Sequence, residues 1–294
     1  MGDMFQLSVE LYDTKDKKVV WSDRWQEKWE NLPTIKDSLS DGVLKTLDTK
    51  PKVEKKLETT NIEAYEFYLK AKHKYDKREN MEDTEIARGL INKAIELDDN
   101  LIPAKALLGT TYREMGDYDK AMEIHSSTLT QAEELGDKYG MGASLNNIGL
   151  VHWNKGDYEK ALDYFGRSLA IAEELGDKRE IGTILGNIGT VHSHKGDYEK
   201  AVEYIKQSIS IQKEIGLGTD NLIWETTYLY LTYKKLGKKY DENEIHSLIK
   251  ESENIEFDLN LRLYELLEDK QYLETAYNKV QEKASAMDDG AKFL

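Results

Sequence analysis

Residues 156–165 read GDYEKALDYF, and residues 196–205 read GDYEKAVEYI. The recurrence falls forty residues on and does not stop at ten positions. Laid over each other at that offset, 137–162 and 177–202 share 16 of 26 residues, among them Asn147 with Asn187, Gly149 with Gly189 and His152 with His192. Composition alone does not produce such a match. A fixed period of roughly 20 to 50 residues marks supersecondary units that stack on their neighbours. The unit also extends backwards, since Gly109, Tyr112 and the run Gly116-Asp117-Tyr118-Asp119-Lys120-Ala121 stand forty residues before their partners.

The period inside a unit is helical. Tyr158, Ala161, Leu162, Phe165, Leu169 and Ala172 fall at i, i+3, i+4, i+7, i+11 and i+14, an apolar stripe with acidic and basic residues around it. Leu145, Ile148, Gly149 and His152 make a shorter stripe just before it. Lys155-Gly156-Asp157 separates the two: glycine supplies the positive-φ residue that ends one helix, and aspartate caps the next. Gly136-Asp137 and Gly176-Asp177 repeat the device between units, so each unit is a helical hairpin. Gly149 and Ala161 are placed on facing stripes, where small side chains let the helices approach while Tyr158 and Phe165 fill the space beside them.

A small residue on the first helix, an aromatic after it, a Gly-Asp-Tyr turn and an alanine three residues on resemble the tetratricopeptide repeat (TPR). The forty-residue spacing and the linker LAIAEELGD, 169–177, are similar to the longer-helix variant of the Pins-like proteins and of many bacterial signalling proteins. Good matches cover 102–215. Residues 62–99 resemble a first unit and 222–250 a fifth, in which Tyr230 replaces the small residue. LRLYELLEDKQYLETAYNKVQEKASAM has helical period without the signature and reads as a terminal helical pair. The expected fold is mainly α: a right-handed α-α superhelix, a TPR solenoid, over 61–250 in about five units, with a C-terminal helical cap at 251–294.

Residues 1–60 have a different pattern and form a small partial α/β element in this reading. Phe5, Leu7, Val9 and Leu11 alternate with polar residues, Asp13 to Lys17 turn, and Val19, Trp21 and Trp25 return, which is the period of a β-hairpin. A helix is expected from Pro33 to about Leu47. This stretch resembles the end of a TolB-like α/β domain such as precedes TPR arrays in bacterial signalling proteins. Only the end is matched, so the chain is expected to be part of a longer protein, and the layout implies cyclase, kinase or DNA-binding modules upstream.

Composition narrows the function. The 41 Lys and Arg are outnumbered by 56 Asp and Glu, and the net charge of −15 repels nucleic acid. With no cysteine there are no disulfides or thiolate metal sites. No apolar run reaches the roughly 18 residues of a membrane span, and a cytoplasmic location is the expectation. His152, His192 and His194 invite a metal, but His152 and His192 occupy the register of Tyr112, a packing position. The carboxylates fall mostly on outer stripes and the glycines punctuate helices, so no catalytic set and no cofactor is expected. Trp21, Trp25 and Trp29 fit the core of the amino-terminal element better than an exposed patch.

The resemblance places the binding residues instead. In TPR arrays the first helices of successive units line a concave groove that holds a peptide or partner segment. By position this implies Thr110 and Arg113; Asn146, Asn147, Leu150, Trp153 and Asn154; Asn187, Thr190 and His194; and Lys234 and Lys235. Asn147 and Asn187 match an asparagine of the Pins-like motif that contacts peptide backbone; an amide both donates and accepts, as an extended backbone does. The alternative for these two is an amide bridging neighbouring helices. The chaperone-tail clamp is not reproduced, and Leu150 and Thr190 replace the motif's second asparagine. A protein-interaction scaffold in bacterial signalling or regulation is the expected function, with self-association as a further possibility. The alternative is a regulatory fragment of a larger signalling enzyme.

Overall fold

The computed structural model describes residues 4–13, 18–28, 61–78, 81–252, 255 and 257–291. Strands β1 (Met4–Asp13) and β2 (Lys18–Lys28) pair antiparallel, with Leu7 opposite Trp25 and Leu11 opposite Trp21, and a bulge at Leu11/Tyr12. The alternation seen in the sequence thus sets the register. The helix expected at 33–47 and Trp29 lie outside the described residues.

Among the described residues twelve helices follow: α1 (Ile62–Asp76), α2 (Met81–Leu97), α3 (Ile102–Glu114), α4 (Tyr118–Leu135), α5 (Lys138–Asn154), α6 (Tyr158–Leu175), α7 (Lys178–Lys195), α8 (Tyr198–Glu214), α9 (Thr219–Lys235), α10 (Glu242–Glu251), α11 (Phe257–Leu267) and α12 (Lys270–Ala291). Each packs against the next through α1–α10, and first helices also touch one another, α3 with α5 and α7 with α9. This is the stack of hairpins that the repeat predicts.

The turns are made as the sequence implies. Gly116, Gly136, Gly156, Gly176, Gly196 and Gly216, every twentieth residue, all have positive φ. At Gly136 and Gly176 the backbone N–H groups of the glycine and the following aspartate close onto the last carbonyls of the helix, for example Asp137 N–H on Ala132 at 2.8 Å. Asp117 and Asp177 then accept hydrogen bonds from first-turn N–H groups.

Ala121, Ala161 and Ala201 are fully buried, and Phe165 and Ile205 lie beside them in the hairpin interior. A Cβ placed on Gly189 would lie 2.5 Å from Ile205 Cγ1 and 3.1 Å from its backbone nitrogen. In the second unit the same position holds His125, whose ring is wholly buried against Gly109 with neither nitrogen hydrogen-bonded. Burial, with the charge of Arg113, lowers its pKa to about 4, so the imidazole is neutral. Exposed Lys–Glu pairs repeat with the units: Lys178 with Glu214 at 2.5 Å, and Lys138 with Glu174.

The fifth unit is wider. Tyr230, where its predecessors have glycine, stacks on Tyr240 at 5.1 Å between ring centres, and its hydroxyl donates to Glu244. Helix α11 packs on α9, burying Leu259, Leu263 and Leu266 in one cluster with Tyr228, Leu229 and Tyr230. No helix of the described residues is long and apolar enough to cross a membrane.

Candidate binding face

Helices α5, α7 and α9 are joined side by side on one face. Asn187 donates through Nδ2 to Asn146 Oδ1 at 3.1 Å, linking α7 to α5. Asn187 therefore does bridge two helices, yet it remains half-buried, with amide capacity to spare. Asn147, its equivalent one unit earlier, is also half-buried and makes no hydrogen bond among the described residues.

Towards the C-terminal end of the same face the side chains become aromatic. Trp153 of α5 meets the edge of His194 of α7 at 5.8 Å between ring centres; Tyr158 and Tyr228 each lie 6.2 Å from His194; and Trp224 stacks on Tyr228 at 5.9 Å. The His194 Nδ1–H donates to the Thr190 carbonyl at 2.9 Å, which fixes the tautomer and leaves Nε2 as an acceptor. Leu150 packs into the cluster beneath, with Trp153, Tyr158 and Leu162.

At the N-terminal end the face is polar. Arg113 and Asn154 stand one unit before Trp153 and His194, and each has a buried atom without a hydrogen-bond partner, Arg113 Nε and Asn154 Oδ1. Arg113 is 3.7 Å from Glu114, whose other oxygen is held by Arg78 at 2.7 Å. The Thr110 hydroxyl is turned back on the Ala106 carbonyl at 3.0 Å.

The two lysines part company. Lys234 points its ammonium at the end of α11, onto the carbonyls of Glu265 and Leu266 at 2.9 and 3.1 Å and the Glu268 carboxylate at 2.7 Å. Cations are favoured there by the unpaired carbonyls of a helix C-terminus. Lys235 is exposed, with no carboxylate on it among the described residues. Trp224 and Tyr228 were not among the residues expected on this face, although Tyr228 occupies the register of Asn147 and Asn187 once the fifth unit is shifted by one residue.

His152 and His192 lie in the hairpins, stacked on Tyr164 and Tyr204 at 5.4 and 5.6 Å, and His192 Nδ1 contacts Asp197 at 3.2 Å. Among the described residues no three His, Asp or Glu side chains converge as metal ligands would.

A sequence profile for the tetratricopeptide repeat matches residues 101–174 and, in a second register, 140–214. Residues 101–214 carry tetratricopeptide repeats. Solved structures of similar fold include aspartyl phosphate phosphatase F of Bacillus subtilis (19% identity, TM-score 0.57, 86% of this chain and 64% of that one), RapI in its apo form (16%, 0.54, 84% and 68%), and a Rap protein complexed with competence and sporulation factor (18%, 0.53, 90% and 70%). The likeness is one of fold. No curated protein matches the sequence. The TolB-like resemblance of the first residues is not among these findings.

Proposed function

We propose that the face shared by α3, α5, α7 and α9 is the concave groove of the TPR array and binds an extended segment of a partner protein, in bacterial signalling or regulation. The observation that carries this reading is the unbonded amide of Asn147 beside the Asn146–Asn187 pair. A half-buried amide with donor and acceptor both idle matches a backbone that needs one of each. That a Rap protein of this fold was solved complexed with competence and sporulation factor supports a binding role. Capture of partners by the wild-type chain and by an Asn147→Ala, Asn187→Ala double variant tests it: a partner held by the first and lost by the second is the expected result.

A second reading rests on the hairpin β1–β2. Together with the resemblance of residues 5–60 to the end of a TolB-like domain, it favours a chain that works as the regulatory portion of a larger signalling enzyme, a cyclase or kinase. The gene sequence upstream decides this directly.

A further inference from the structure

We infer that the junction between the fourth and fifth units is a proton-operated joint: Glu225 of α9 holds it closed on α7 and α8 as a neutral acid paired with the Gln212 amide, and opens it when ionised. This goes beyond the groove reading and does not rest on it.

Three departures from the repeat meet at this junction. Gly186 stands where the preceding unit has Asn146, and Gln212 stands where the earlier units have the buried Ala132 and Ala172. Glu225, counted at the 41-residue offset of the fifth unit, takes the place of Ile184, a core residue. In the folded chain the three come together. Glu225 is half-buried with its carboxyl turned inward, and a Cβ on Gly186 would stand 2.2 Å from its Oε1 atom, so the acid occupies the room that glycine leaves. Gln212 is buried against Gly182 and hydrogen-bonds the same carboxyl. An acid in place of an apolar residue costs stability at such a junction, so its use lies elsewhere.

The hydrogen bonds decide which protonation state fits. The Ser208 hydroxyl donates to the Gly182 carbonyl at 2.8 Å, so it accepts from Gln212 Nε2, 3.0 Å away. That fixes the amide and leaves Gln212 Oε1 buried without a donor. A carboxylate has no proton to give it. A carboxylic acid does, donating its O–H to Oε1 while it accepts from the second Nε2 hydrogen. Burial raises the Glu225 carboxyl to about 7, which places the change near neutral pH. No charged group is among the influences on it: Lys213 of α8 pairs with Glu244 of α10 at 3.3 Å, Arg262 of α11 pairs with Glu265 at 2.8 Å and hydrogen-bonds Tyr228, and His194 of α7 turns to Thr190. Once ionised, the carboxylate faces a bare amide oxygen with no counter-ion, and reaching water requires α9 to part from α7. The Ser193–Thr232 hydrogen bond at 3.1 Å and the His194–Tyr228 contact join the same two helices and loosen with it.

The chain has no cysteine, so spin labels can be placed on introduced ones in the full chain. Labels on Arg167→Cys of α6 and Lys250→Cys of α10 span the joint; labels on Glu123→Cys of α4 and Arg167→Cys lie to one side of it, all at exposed sites. Distances from pulsed electron paramagnetic resonance are compared at about pH 5.5 and about pH 8, either side of the Glu225 transition. The spanning distance should be displaced and broader at the higher pH, with the control distance and the circular dichroism unchanged. Glu225→Gln, whose amide hydrogen can replace that of the acid on Gln212 Oε1, should keep the low-pH distance throughout, and so should Glu225→Leu, apolar as Ile184 is one unit earlier. A wild-type spanning distance that does not respond to pH overturns the inference. So does a pair of Glu225 variants that still open at the higher pH, which would assign the motion to another group such as His194, and so does a loss of helicity there, which would make it unfolding and not a joint.

Discussion

Gly149 lies flat against Phe165: a Cβ added to it would stand 2.6 Å from the ring's Cε1 atom. The two residues are on the first and second helices of one hairpin, and the contact sets how closely those helices approach. Gly189 and Ile205 repeat it one unit on, with backbone atoms of the second helix also within 3.3 Å of the added carbon. Backbone cannot rotate away as a side chain can. Gly189→Leu should therefore overpack the hairpin and cost roughly 1 to 3 kcal/mol, read as a lower denaturation midpoint at unchanged m-value.

His125 stands where Phe165 and Ile205 stand, wholly buried, with both ring nitrogens unbonded. One of those nitrogens is a donor and the other an acceptor, and each has lost water without replacement. His125→Phe should raise stability by about 1 to 2 kcal/mol; a lower melting temperature would show that the imidazole is held by something the ring of phenylalanine cannot replace.

Stability against pH should show two opposed slopes. Burial lowers His125 from 6.5 to about 4, so between those values the unfolded chain holds more protons, and stability falls as pH falls. Glu225, pressed on Gly186, goes the other way. Burial raises it from 4.5 to about 7 against a smaller opposing hydrogen bond from Gln212, so the folded chain holds more protons and stability falls as pH rises through 7. Each group accounts for about 3 kcal/mol at most, and between pH 4.5 and 6.5 they oppose each other. Urea titrations across pH 4 to 8 should give Glu225→Gln a stability that only rises with pH towards 6.5. His125→Phe should show one that only falls towards pH 7.

Lys234 and Lys235 should separate stability from binding. Lys234→Met leaves the last carbonyls of α11 uncapped and should lower the melting temperature, at a cost of about 1 kcal/mol. Lys235→Met should leave melting unchanged and weaken capture of the partner segment.

What could be read from the sequence follows from where the repeat is strict. The glycine at every twentieth residue, the Gly–aromatic packing and the alternation of the hairpin are local constraints, and each residue type has one physical use there. Asn146 was harder, because the bond to Asn187 joins adjacent positions of two different helices, not equivalent ones. The capture of Lys234 by α11 was not legible at all, since that helix carries no repeat signature and its docking depends on the widened fifth unit around Tyr230. Trp224 and Tyr228 were within reach: counting 41 residues from Asn187, instead of forty, puts Tyr228 on the same face.

The central claim is that half-buried asparagine amides on the first helices hold the backbone of a partner segment. Side-by-side capture by the wild-type chain and by the Asn147→Ala, Asn187→Ala double variant, with helicity measured on both, tests it most directly. The account predicts a partner retained by the wild type and lost by a variant of equal helicity. The same partners on both baits, or a variant that loses its helicity, would contradict it, the latter by showing that the amides serve the fold and not a ligand.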